Sequence, residues 1–165
     1  MTSSSAIPGP PAARTAGAGP AWQTALCWAL RLGLGGLFAV TGALKLSDPA
    51  SFAIEIHNYQ LFPELAPALA ATLPALEIVL GATLIFARRP WVRAGALAAT
   101  ALLAVFTVAV ASVVARGINI DCGCFGDGSG PVTIATVLRD VALVAAGVAL
   151  FRLSGDRPAS TAAPA

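Results

Sequence analysis

Residues 91–115 read WVRAGALAATALLAVFTVAVASVVA. Beyond Arg93 the stretch carries no charged side chain. At 1.5 Å of rise per residue, a helix of this length crosses a hydrocarbon core about 30 Å thick. Three further stretches share the pattern: Trp22–Leu46, Ala66–Phe86 and Pro131–Leu153. The first is too long for a signal peptide, and more spans follow it. Of the 165 residues, 57% are hydrophobic and only 11% charged. A soluble domain carries roughly a quarter charged residues. Too few polar groups remain here to solvate a globular surface. The expectation is an all-α, integral membrane four-helix bundle over residues 21–153.

Outside the bundle the composition changes. Residues 1–20 are rich in Pro, Ala, Gly and Ser with one charge, Arg14, and residues 154–165 are similar. Neither shows apolar periodicity, so both are expected to be disordered tails. The net charge of +2 makes no case for nucleic acid. Charge placement says more than the total. Arg14, Arg88, Arg89, Arg93, Arg152 and Arg157 fall on one side of the spans, and Lys45 and Arg116 on the other. Basic residues in short loops stay on the cytoplasmic side. Both termini and the turn Arg88-Arg-Pro-Trp-Val-Arg93 are therefore expected in the cytoplasm of a cell bounded by this inner or plasma membrane. Trp22 and Trp91 sit at the cytoplasmic span ends, at headgroup level.

Between the first two spans, Ser47–Pro63 mixes Phe52, Ile54, Ile56, Tyr59, Leu61 and Phe62 with Asp48, Glu55, His57 and Asn58. It is too short and too polar to span, which predicts an interfacial helix and loop. Asp48-Pro49 favours a turn followed by a new helix. Lys45 suits a helix C-terminus and is given no chemistry. Glycines recur in the spans at 33, 35, 36, 42, 81, 95 and 147, and small residues let helices approach closely in lipid. Pro74 falls inside the second span and lacks the N–H that closes a helical turn.

Two constellations carry potential chemistry. The first is Ile120-Asp-Cys-Gly-Cys-Phe-Gly126, on the extracytoplasmic side, with two of the chain's three cysteines. Cys122 and Cys124 stand in an oxidising compartment, where thiols tend to pair. A bridge between residues two apart is strained, and strain makes a disulfide easier to reduce. With Pro131 beginning the fourth helix, its positive end lies near enough to lower a thiol pKa. A redox pair is one reading and a structural loop the other. A zinc half-site from both cysteines, His57 and Asp121 ranks lower, because its ligands come from separate loops. Cys27 lies across the membrane, roughly 30 Å away, and reads as a small apolar filler.

The second constellation is intramembrane. Counted from the cytoplasmic helix ends, Arg31 lies roughly 14 Å deep, Glu77 roughly 16 Å, and Arg139 and Asp140 roughly 18–20 Å. All four then share a level, and Glu77 is expected to meet Arg31 or Arg139 with Asp140 nearby. Consecutive residues 139 and 140 point different ways around their helix. Such a cluster either carries protons or orients a quinone-like acceptor, or else is a neutralised pair that fixes helix register. A small transporter would use the same charges, but the spans show no inverted repeat.

Five segments together resemble the MauE branch of the DoxX-like membrane proteins, named for methylamine utilisation. They are Gly42-Ala-Leu-Lys-Leu-Ser-Asp-Pro49, Tyr59-Gln-Leu-Phe-Pro63, Pro74-Ala-Leu-Glu77, Asp121-Cys-Gly-Cys-Phe-Gly126 and Leu138-Arg-Asp140. The resemblance covers residues 26–152. It implies a four-helix inner-membrane protein tied to extracytoplasmic thiol–disulfide chemistry. It further implies maturation of a disulfide-rich client, as for the methylamine dehydrogenase light subunit, and a thioredoxin-like or disulfide-containing partner. By that likeness Cys122 and Cys124 are the redox pair, and Glu77 and Arg139 belong to the family pattern. No cofactor is required, with a quinone held open as acceptor. The rival expectation is a non-catalytic membrane scaffold or chaperone with a structural Cys-x-Cys loop.

Overall fold

The computed structural model describes residues 20–120 and 131–155. Of the expected tails only Pro20, Ser154 and Gly155 are described. Ser154 is buried and its N–H donates to the Leu150 carbonyl at 2.9 Å, so the C-terminal tail cannot begin at 154. The rest of the tails, and the calls on Asp121, Cys122 and Cys124, fall outside the described residues. Five α-helices make up the described chain: α1 (Ala21–Ser47), α2 (Pro49–Asn58), α3 (Ala66–Phe86), α4 (Trp91–Arg116) and α5 (Ile134–Leu153). A single 3-10 turn, Pro63–Leu65, leads into α3. Four of the helices are long and apolar enough to cross a membrane. The short α2 occupies the segment expected to be interfacial.

Local chemistry sets the boundaries. Asp48 ends α1, and its side chain accepts a hydrogen bond from the Ser51 N–H at 3.0 Å, capping α2 with Pro49 in its first turn. This is the cap in which a side-chain oxygen satisfies a first-turn N–H that lacks a helical partner. Gly117 ends α4 at φ 66°. That left-handed conformation is one glycine adopts without a Cβ penalty. The fourth span begins three residues later than Pro131. Thr133 and Thr136 form a reciprocal capping box, the Thr133 N–H donating to Thr136 Oγ1 at 3.2 Å, so Thr133 rather than the proline sets the helix start. Pro74 sits buried within α3 without ending it.

The four long helices close a ring in which α1 packs along α3 and α4 along α5, while α1–α5 and α3–α4 contacts complete the circle. The short α2 lies against α3. Glycines permit the α1–α3 approach. A Cβ at Gly81 would stand 2.7 Å from the Gly35 carbonyl oxygen and 2.8 Å from the Ala39 nitrogen. Lipid tails are as apolar as leucine, so such backbone contact is what holds membrane helices together. Leu34, Phe38, Leu80, Leu84, Ala96, Ala99, Leu103 and Leu150 form the buried core. Cys27 packs against its edge as a free thiol.

Polarity is distributed inside out. Val105, Val108, Phe86 and Trp91 are exposed, whereas Glu77, Asp140 and Lys45 are buried at 2%, 6% and 7% exposure. In water this arrangement would be costly. In hydrocarbon it is required, because ionisable groups there face the bundle interior and pair.

Candidate functional site

The buried charges converge on a cavity of about 610 Å³ between the helices, toward the end of the bundle that carries α2. Along α1, Leu34, Phe38, Thr41 and Lys45 are all buried. They follow one another at helical spacing on a single face. Lys45, in the last turn, therefore enters the bundle from the core face. Its Nζ stands 2.5 Å from Glu77 Oε1. The rings of Phe52 from α2 and Phe106 from α4 each lie 5.0 Å from the same nitrogen. An ammonium over an aromatic face gains from the ring quadrupole, more so when desolvated. Glu77 Oε2 is buried and makes no hydrogen bond.

Arg139 and Asp140 line the same cavity from α5. Arg139 donates to Asp140 Oδ1 from Nε at 3.1 Å and from Nη2 at 3.0 Å. Consecutive Cα–Cβ bonds do diverge, but the long guanidinium stem folds back far enough to reach its neighbour. Asp140 is the buried member and Arg139 the more exposed one.

The expected partner of Glu77 is corrected by this geometry. Glu77 meets Lys45, and neither Arg31 nor Arg139. Arg31 is elsewhere: it donates to the carbonyls of Leu84, Ile85 and Ala87 at 2.7, 3.0 and 2.9 Å, and stacks over Trp28 at 4.4 Å. Those oxygens sit at the last turn of α3, where helix carbonyls lack partners. The reason is register. Arg31 comes ten residues into α1 yet is level with the final turn of α3. The start of α1 thus extends beyond the end of α3, and depths counted from each helix's own end do not share an origin. Glu77 lies seven residues before Leu84, roughly 10 Å deeper. The polar cluster is Lys45, Glu77, Arg139 and Asp140, with Arg31 separate.

Sequence reasoning passed over Lys45 and the rings of Phe52 and Phe106. The 34–38–41–45 spacing was the available signal for Lys45, since it continues a core stripe rather than a solvated end. Outside the cavity, Arg116 Nη2 donates to the Tyr59 carbonyl at 2.5 Å, tying the end of α4 to the end of α2. Close by in the chain, the Val132 N–H donates to the Ile120 carbonyl at 2.9 Å. Ile120 and Val132, on either side of segment 121–130, are therefore held together. Among the described residues no three His, Cys, Asp or Glu side chains are gathered to hold a metal.

A multi-pass membrane protein with a largely apolar cavity into which a few charged side chains reach is the class that fold and site define. Within it, the family model for methylamine utilisation protein MauE matches residues 23–153. Two relatives carry the name methylamine utilization protein MauE. The one from Paracoccus denitrificans is 37% identical over 131 residues, 78% of this chain and 69% of the relative. The one from Paracoccus versutus is 40% identical over 139 residues, 82% of this chain and 74% of the relative. The chain belongs to the MauE family. No solved structure matches it.

Proposed function

We propose that this protein acts in methylamine utilisation as a cell-membrane component of extracytoplasmic thiol–disulfide exchange, serving the maturation of a disulfide-containing partner. Cys122 and Cys124 carry the exchange. One thiolate attacks a partner disulfide, forming a mixed disulfide and releasing a partner thiolate. The second cysteine then displaces the partner, leaving a Cys122–Cys124 bond and a reduced partner. Two electrons pass to the partner, and the reverse sequence oxidises it. The partner is a thioredoxin-like or other disulfide-bearing protein outside the cytoplasm. The DoxX-like likeness of the sequence fits the same role.

The observation that carries this reading is the Ile120–Val132 backbone bond. It brings together Ile120 and Val132, the described residues on either side of the segment that holds both cysteines. Orientation is supported by the other end. Arg89 donates to the Leu153 carbonyl and Arg93 lies over Phe151, which gathers the basic turn beside the end of α5. The positive-inside rule assigns that end, and both termini, to the cytoplasm.

Mass-tagging alkylation of native membranes, with and without mild reductant, is the test. Cys122 and Cys124 are expected to shift together between tagged and untagged forms, and Cys122→Ser with Cys124→Ser to abolish partner maturation. Full maturation in that variant, or thiols that never change state, would leave a non-catalytic scaffold as the function.

A further inference from the structure

We infer that the cavity is a binding site for a neutral, membrane-soluble ring compound bearing carbonyl or hydroxyl oxygens, of the quinone class. Its size comes first: about 610 Å³ falls within the roughly 300–1,000 Å³ of small-molecule sites. Its walls come next. Phe38, Phe52, Tyr59, Phe62 and Phe106 supply flat apolar faces from four separate segments, and a flat ring stacks on such faces.

The polar end then selects the head group. Among the described residues that line the cavity, the cations Lys45 and Arg139 each already face a carboxylate, Glu77 and Asp140. That compensation disfavours an anionic head, whether fatty-acid carboxylate or lipid phosphate. A neutral oxygen is accommodated. The Lys45 ammonium has three N–H groups, of which one serves Glu77. It is a charged donor for a ring carbonyl. Glu77 Oε2 is a buried acceptor with no partner. Leaving such an atom unsatisfied is costly, and a ring hydroxyl removes that cost. Donor and acceptor stand side by side, so a carbonyl and a hydroxyl form of the same ring both find a match. The site is independent of the exchange proposed above, because none of its residues is a cysteine.

Purified full-length protein in nanodiscs, titrated with decylubiquinone, tests the inference. Saturable binding is expected. Ala109→Phe, which adds a ring at a residue lining the cavity, is expected to weaken it by roughly tenfold or more. Lys45→Met combined with Glu77→Leu removes the polar head contacts while keeping the core apolar, and is expected to weaken it roughly tenfold. Cys122→Ser with Cys124→Ser is expected to bind as the native chain does, which separates this site from the thiol chemistry. Absence of saturable binding overturns the inference, as does binding unchanged in both cavity variants. Displacement by oleate at equal concentration also overturns it, since the site would then accept an anionic lipid.

Discussion

Lys45 and Glu77 form the interaction on which the polar interior turns, and their partnership has a testable energetic signature. Both side chains are buried, so each neutralises a charge that the other would leave stranded in low dielectric. Removing one member of a buried pair costs about 3–5 kcal/mol, whereas replacing both with apolar residues of similar volume is near neutral. Glu77→Leu and Lys45→Met are each expected to destabilise by that amount in detergent unfolding. The double variant is expected to recover most of the loss. Additive single effects would show that the two groups do not interact. Glu77 itself was legible in the sequence, because a carboxylate inside an apolar span has to be paired. Its partner was not legible, since that depends on how far α1 overhangs α3, and no residue of either helix records the offset. Arg31 shows the same gap: it is read as buried charge, yet it serves the free carbonyls at the end of α3.

At the scale of helices, the α1–α3 contact depends on side chains that are missing. Gly81 and Gly33 make a matched pair of tests. A Cβ at Gly81 meets the backbone of α1 at 2.7 and 2.8 Å, while a Cβ at Gly33 meets nothing within 4 Å. Backbone atoms cannot rotate aside, so Gly81→Ala must push the helices apart and weaken the packing that stabilises them in lipid. A loss of about 1–3 kcal/mol is expected, the usual cost of overpacking. Gly33→Ala is expected to fall within about 1 kcal/mol of the native chain. Equal effects at the two positions would mean that helix propensity, and not close approach, governs both. The helices themselves were readable because each apolar run matches a bilayer in length, and α2 because Asp48-Pro49 announces a cap. The choice of neighbours was less readable. All four spans carry small residues, and composition does not say that α1 pairs with α3 and α4 with α5.

For the molecule as a whole, the decisive property is which way it faces. Arg88, Arg89, Arg93 and Arg152 gather at one end, and at the other the basic residues are Arg116, bonded to the Tyr59 carbonyl, and Lys45, neutralised inside the bundle. With Lys45 paired, the asymmetry is steeper than a count of loop charges suggests. Uncompensated basic residues resist translocation, so the proposed orientation has the Arg-rich end in the cytoplasm and segment 121–130 outside. In intact spheroplasts of a Cys27→Ser strain, treated with mild reductant, a membrane-impermeant maleimide is expected to label Cys122 and Cys124. In a Cys27→Ser, Cys122→Ser, Cys124→Ser background, Arg88→Cys is expected to stay unlabelled until the cells are lysed. The reverse pattern would put the thiols in the reducing cytosol, where a disulfide pair does not persist, and extracytoplasmic exchange would fail with it. The ring-binding cavity would survive that result, because its residues lie between helices and not in the loop. Topology therefore decides the thiol chemistry alone, and labelling from the two sides separates the two proposals.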